Sequence, residues 1–163
     1  MPTGVRGVAA PWAYEGPARA LILTLKVRGL QAAAAPLLEG MITASRRVGF
    51  RGSAVTWVPG HRADIRRRGF DHAEILATGV ARELGLRALP LLQRRREATD
   101  QTSLSARGRA LNVRGAFEAA RRPPEAVILV DDLITTGATA GACAQALQAA
   151  GGRAVEVLVA CRA

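Results

Sequence analysis

Lysine is almost absent from this chain: Lys26 stands alone among 23 basic residues, and arginine supplies the rest. Aromatic side chains make up only 4% of the composition, which argues against a platform on which unstacked nucleobases pile. The two cysteines, Cys143 and Cys161, form no CxxC pair and have no histidine at metal-ligand spacing. Neither a zinc site nor a disulfide framework is therefore expected, and both read as small buried thiols. No uninterrupted apolar run approaches the roughly 20 residues of a bilayer-spanning helix, and the N-terminus carries no apolar signal-peptide core. These absences leave a cytoplasmic protein without membrane insertion as the expectation.

What is present suits one domain. A chain of 163 residues, 49% of them apolar, has enough material for a single core. The net charge of +10 favours polyanionic partners such as nucleic acid or a phosphorylated ligand. Residues 1–13, rich in Gly, Pro and Ala, are expected to be a flexible N-terminus, and 14–163 to form the domain. "EGPARALILTLKVRG" (15–29) reads as a helix, with Pro17 in its first turn and Leu21, Ile22 and Leu25 on one face. "LQAAAAPLLEGMITASRRV" reads as a second helix, kinked or restarted at Pro36.

"SAVTWVP" (53–59) has the β-branched pattern of a strand that stops at Pro59. A polar, basic loop, "GHRADIRRRG", follows. The next helix starts at Asp71, with Glu74 completing a capping-box pattern. "LRALPLL" is a short strand candidate. From Gln93 to Leu111 the chain is polar and aperiodic, as functional or mobile loops are. "EAVILVDD" is apolar throughout its strand, as a strand covered on both faces should be. A helix with small residues at Ala142, Ala146 and Ala150 follows, and "RAVEVLVACR" is a last strand. Alternating strands and helices predict an α/β domain around a mainly parallel sheet.

The chemistry concentrates in "VILVDDLITTGAT" (127–139). Ligands of open α/β sheets sit beyond the carboxyl ends of the strands, and here such an end carries Asp131 and Asp132. The helix that follows starts with unpaired backbone N–H groups. With the hydroxyls of Thr135, Thr136 and Thr139, those donors make an anion cradle, and Gly137 lets the backbone come close to the anion. The acids would repel a phosphate, so they call for hydroxyl donors or a cation. A 5-phosphorylated ribose satisfies both halves, with its hydroxyls on the acids and its phosphate on the turn. A Walker-A loop and a Rossmann glycine fingerprint are both missing. Solvated strand-end acids beside a threonine helix cap would explain one threonine, but not the adjoining acid pair.

This stretch resembles the ribose-phosphate signature of type I phosphoribosyltransferases. "RRRGFDHAEILA" (66–77), "QTSLSARGRALNVRGAF" (101–117) and "YEGPARALILTLKVRG" (14–29) resemble, in the same order, segments of the ComF-type (GntX-like) competence proteins. The resemblance implies a type I phosphoribosyltransferase fold, with its central sheet flanked by helices, a flexible loop and a small N-terminal hood. It implies that Asp131 and Asp132 bind the ribose hydroxyls of phosphoribosyl pyrophosphate, with Mg²⁺ held through the ligand. Thr135, Thr136, Gly137, Ala138 and Thr139 would hold the 5-phosphate. Gly60, His61, Arg62, Arg66 and Arg68 are candidates for the pyrophosphate loop, where the family likeness also predicts a cis peptide near Pro59–Gly60–His61. Arg95, Gln101, Ser105, Arg109 and Asn112 would belong to the closing loop, and Lys26 would lie on the nucleobase-facing side.

Some residues depart from the pattern. The zinc-binding N-terminal segment of full-length members is missing, so the chain reads as a stand-alone domain, a truncated member, or one with a misplaced start. The family's Val-Pro-Val-Pro strand end is Thr56-Trp57-Val58-Pro59, and its Asn-Gln pair is Asp71-His72. Purine-salvage relatives carry an acid where this chain has Thr135, which disfavours a 6-oxopurine acceptor. Taken alone, His61 and His72 read as solvated or structural, Asp71 as a helix cap, and Arg94–Arg96 as charge that keeps a loop soluble. Two functional expectations stand side by side. One is a ribosyl-phosphate transferase that releases pyrophosphate. The other is a non-catalytic DNA-uptake factor whose pocket senses a nucleotide-like ligand and whose arginine-rich surface binds single-stranded DNA or a competence-machinery protein.

Overall fold

A six-stranded sheet with helices on both faces organises the molecule; the computed structural model describes residues 2–28, 31–95 and 115–163. In chain order the elements begin with β1 (Gly7–Ala9), β2 (Trp12–Ala13), α1 (Gly16–Arg28), α2 (Gln31–Val48) and β3 (Ala54–Trp57). They continue with α3 (Arg62–Arg68), α4 (His72–Leu84), β4 (Arg87–Ala88) and β5 (Leu92–Arg94). After β6 (Phe117–Ala119) come β7 (Ala126–Ile134), a helix here numbered α5 (Ala138–Ala149), and β8 (Ala154–Arg162). The sheet runs β1-β8-β7-β3-β4, β2 also pairs with β8, and every one of these pairings is parallel. β5 and β6 form a separate antiparallel pair.

The apolar run of β7 explains its central place. Val127 and Leu129 turn to one face, where they pack with Cys143, Ala144 and Leu147 of α5. Ile128 and Val130 turn to the other, against Ile22 and Leu25 of α1, Met41 of α2 and Leu76 and Val80 of α4. All four of these β7 side chains are buried, as period-two alternation requires of a strand covered on both sides. Gly52 lets β3 lie close to β7: a methyl group there would sit 2.8 Å from the backbone nitrogen of Ile128. Gly52→Ala is expected to lower stability by about 1–3 kcal/mol, read as a depressed melting temperature. An unchanged Tm would show that the strands can part without cost.

Several expectations are corrected here. Residues 1–13, expected to be flexible, contribute β1 and β2. Arg6 N donates to Val155 O at 2.8 Å, and Tyr14 N to Arg162 O at 2.8 Å. The cause is β8, whose outer edge carries backbone groups that need partners. The basic stretch after β3, expected to be a loop, contains α3. Asp64 pairs with Arg67 at 3.0 Å and Arg68 at 3.3 Å at helical spacing, which supports a turn of helix, and Gly69 closes it in the left-handed conformation at φ 83°. Pro36 lies inside α2 without ending it. "LRALPLL" divides around Pro90 into β4 and β5, because proline has no N–H to give a ladder.

Candidate functional site

The site lies where the chain changes direction across the sheet. After β3 it passes through α3 and α4 and returns as β4, on the outer side of β3. After β7 it passes through α5, packed on the opposite face, and returns as β8 on the other side. Between β3 and β7 the two connections therefore leave in opposite directions, which opens the crevice typical of ligand sites in α/β sheets.

β3 and β7 separate just before the acids. Trp57 pairs with Val130, and Val58 N donates to Val130 O at 3.0 Å. From there β7 runs on to Ile134 beside β8, with Asp131 opposite Val159 and Leu133 opposite Cys161. The acids were expected at the end of the strand, but they lie within it, on an edge bared by the departure of β3.

A cavity of about 340 Å³ fills this crevice. Asp131, Asp132, Thr135 and Thr139 line it from the β7 side, and Gly60, His61 and Arg68 from the β3 side. Arg62 and Arg66 are exposed and do not line it. Thr136 and Ala138 are exposed on the turn, where Thr136 Oγ1 accepts from Ala138 N at 3.3 Å. Gly137, at φ 79°, is the N-cap of α5 and is buried beneath Pro2. Beyond it, the backbone N–H groups of Thr139 and Ala140 meet no acceptor among the described residues. Arg95 belongs to the β5–β6 stem, where its Nε lies 3.2 Å from Glu118 Oε2. Gln101, Ser105, Arg109 and Asn112 lie outside the described residues.

The loop after β3 is held in place by its neighbours. Asp71 caps α4 as expected, its Oδ1 accepting from Ala73 N at 3.1 Å. Its Oδ2 also accepts from Gly60 N at 2.9 Å, so the cap carboxylate ties the loop to the helix. Arg94 Nε donates to Pro59 O at 2.8 Å, and its guanidinium lies 4.7 Å from the centre of the Phe117 ring. Every peptide bond among the described residues is trans. The cis bond expected near Pro59–Gly60–His61 is therefore corrected, and the loop takes its shape from these hydrogen bonds.

Three further residues belong to the site. His72 and Arg94 were read as bland in the sequence, and Lys26 was placed only by the family resemblance, toward the nucleobase and not toward the acids. Lys26, in the last turn of α1, places Nζ 2.7 Å from Asp132 Oδ2. His72, the first residue of α4, places Nε2 3.3 Å from Asp132 Oδ1. Arg94 lines the cavity as well as holding Pro59. The usable signals were slight: Lys26 is the sole lysine, and His72 directly follows a capping acid, which fixes its direction.

The two carboxyls have opposite electrostatic characters. Burial alone would raise the pKa of Asp132, but the His72 hydrogen bond and the Lys26 ammonium outweigh it and hold the group well below the usual carboxylate range. Asp132 Oδ2 is buried, and the Lys26 ammonium 2.7 Å away is the group that satisfies it among the described residues. Burial pushes Asp131 well above the usual range, and the negative charge of Asp132 adds to the rise. Asp131 curls back along the strand, its Oδ1 accepting from Asp132 N at 2.9 Å, which is how successive strand residues bring their carboxyls together. Burial also raises the Cys143 and Cys161 thiols, as expected for inert buried cysteines.

No family model matches the chain. It is 32% identical over 130 residues to DNA utilization protein YhgH from Salmonella typhimurium, covering 77% of this chain and 57% of that protein. It is 32% identical over 109 residues to Competence protein F from Haemophilus influenzae, covering 64% of this chain and 48% of the relative. Among solved structures, the glutamine phosphoribosylpyrophosphate amidotransferase from B. subtilis, complexed with ADP and GMP, superposes with a TM-score of 0.52 at 25% identity. That match covers 77% of this chain and 26% of the other. Adenine phosphoribosyltransferase from Thermoanaerobacter pseudethanolicus superposes with a TM-score of 0.51 at 15% identity, over 84% of each chain.

Topology and superposition together define a domain of the phosphoribosyltransferase fold. Within that class the chain is a homologue of Competence protein F and of DNA utilization protein YhgH, and it spans about half the length of these relatives.

Proposed function

We propose that the cavity binds phosphoribosyl pyrophosphate with Mg²⁺, and that in the presence of an acceptor the protein transfers ribosyl phosphate and releases pyrophosphate. One observation carries this reading: a single cavity at the β3–β7 crevice joins the acid pair, the open turn at Thr135 and Thr139, and the cationic wall of Arg68 and Arg94. Thr139 and the free N–H groups that follow Gly137 suit a 5-phosphate, because each hydrogen bond to a charged oxygen contributes about 1.5–3 kcal/mol. Across the cavity, Gly60, His61, Arg68 and Arg94 face the place where pyrophosphate would leave, and fixed cations there would stabilise its growing charge. The ribose hydroxyls fall to Asp131 and Asp132.

The acids also fit a shared divalent ion, since Asp132 Oδ2 is a buried acceptor whose partner is already a cation, the Lys26 ammonium at 2.7 Å. When bound, Mg²⁺ would screen the pyrophosphate charge. Titrating the protein calorimetrically with phosphoribosyl pyrophosphate tests the reading. Saturable binding on the order of micromolar Kd that strengthens with Mg²⁺ is expected, and no heat with or without Mg²⁺ would reject it.

The second reading, a DNA-uptake factor that meets single-stranded DNA or a partner protein, has its own support in the net charge of +10 and in the relatives' names. Arg62, Arg66 and Arg67 project to solvent on α3, where they suit phosphate contacts. Tight single-strand binding that falls steeply with salt, together with no response to the sugar pyrophosphate, would favour that role.

A further inference from the structure

Pro2 to Val5 form a tight turn, in which Val5 N donates to Pro2 O at 3.3 Å. Gly4 takes its third position at φ 79°, a conformation that suits glycine there. The turn is anchored from three sides. Val5 is buried in the cluster that holds Cys143, Ala144 and Leu147 of α5. Arg6 N donates to Val155 O at 2.8 Å on the edge of β8. Gln148 Nε2 donates to Gly4 O at 2.9 Å, from a side chain that leans toward the helix start as helical side chains do.

So anchored, the turn lies against the back of α5. A methyl group on Gly137 would sit 2.6 Å from Pro2 Cγ. One on Gly141, a helical turn further on, would meet Pro2 Cβ and the Thr3 backbone at 3.6 Å. Pro2, whose ring fixes its own φ, therefore rests on the N-cap of the helix as a stiff brace.

This contact falls where an anion would need a fixed backbone. Gly137 has no side chain with which to cap α5, and Thr136 and Ala138 beside it are exposed. A glycine turn supported only from the solvent side would lose freedom when it closed on a ligand, and that loss weakens binding. Support from behind removes much of it in advance. We infer that Pro2 and Gln148, which lie outside the cavity lining, are positioning residues for the 5-phosphate: through Gly137 they hold the N–H groups of Thr139 and Ala140 where the phosphate meets them. The inference rests on the sugar-phosphate reading and deepens it.

Two probes address the two ends of the cavity in calorimetric titrations of the full chain, ribose 5-phosphate for the turn and Mg²⁺–pyrophosphate for the opposite wall. Pro2→Gly removes the ring, and Gln148→Met keeps the length of the side chain but loses the donor. Each variant should bind ribose 5-phosphate about three- to tenfold more weakly and Mg²⁺–pyrophosphate as wild type does. Retained pyrophosphate binding also shows that the variants are folded. Unchanged ribose 5-phosphate affinity in either variant would overturn the inference. An equal loss for both probes would do the same, because a brace that only stabilises the domain acts on both ends alike. A wild-type protein that binds neither probe rejects the sugar-phosphate reading and this inference with it. Failure of the inference alone has a different signature: wild type binds both probes and the variants match it.

Discussion

Asp131→Asn combined with Asp132→Asn is expected to weaken Mg²⁺-dependent binding of phosphoribosyl pyrophosphate by about a hundredfold or more while the sheet stays folded. On the proposed reading both acids accept from ribose hydroxyls, Asp131 once the ligand's Mg²⁺ has displaced its proton. Two lost charge-assisted hydrogen bonds at about 1.5–3 kcal/mol each exceed the 2.7 kcal/mol of a hundredfold change. The fold survives because Lys26 can turn to solvent when its partner is neutral, and an amide in place of the carboxylate can still meet the His72 ring.

The single Asp131→Asn variant adds a sign that separates site from scaffold. Burial and the charge of Asp132 raise the Asp131 pKa. Above the unfolded pKa the denatured chain has released this proton while the folded one keeps it, so stability falls as pH rises through that window. Asparagine removes the term. Asp131→Asn should therefore melt at a higher temperature than wild type at neutral pH and lose that advantage near pH 3, below both pKa values. Asp132 has the reverse sign: its depressed pKa contributes stability above the unfolded value, lost only as pH falls through the lower folded one. A rise in stability beside a loss of ligand binding would support the proposed binding role of Asp131 over a structural one. Unchanged ligand affinity in the double variant would remove both acids from the site.

How much of this was legible in the sequence follows from the range of the interactions. β7 was readable because burial on both faces leaves an unbroken apolar run from Val127 to Val130, and α4 because Asp71 caps it locally. The acid pair with its threonine turn was readable because strand, turn and helix start are neighbours in the chain. The Lys26–Asp132–His72 arrangement was not. Its members come from α1, β7 and α4, and nothing in the spacing of 26, 72 and 132 reports that these elements meet. Arg94 was missed for the same reason, since its partner Pro59 lies 35 residues earlier. α3 was overlooked because its apolar members are only exposed Ala63 and half-buried Ile65, and pairs such as Asp64–Arg67 leave no periodic pattern. The N-terminal strands were overlooked because their cause is the edge of β8, at the far end of the chain.

Glu156 carries the largest expected effect on stability. This β8 residue is 5% exposed, and its Oε2 accepts from Arg51 N at 2.8 Å and Gly52 N at 2.9 Å. Those amides lead into β3, so a single carboxylate from the strand beyond β7 fixes where β3 begins. In Glu156→Ala both donors lose their acceptor inside the protein, at about 1.5–3 kcal/mol for each charged hydrogen bond. The summed loss of about 3–6 kcal/mol corresponds to a Tm lowered by roughly 10 °C in a domain of this size. Glu156→Gln should recover much of it, because one amide oxygen can still accept from both N–H groups, although without charge. Since β3 ends at the Pro59–His61 loop, partial release of its start should also loosen the cavity wall, and Glu156→Ala should bind phosphoribosyl pyrophosphate more weakly even at temperatures where it remains folded. A melting temperature equal to wild type would mean that solvent replaces the carboxylate, and β3 would then owe its position to β7 alone.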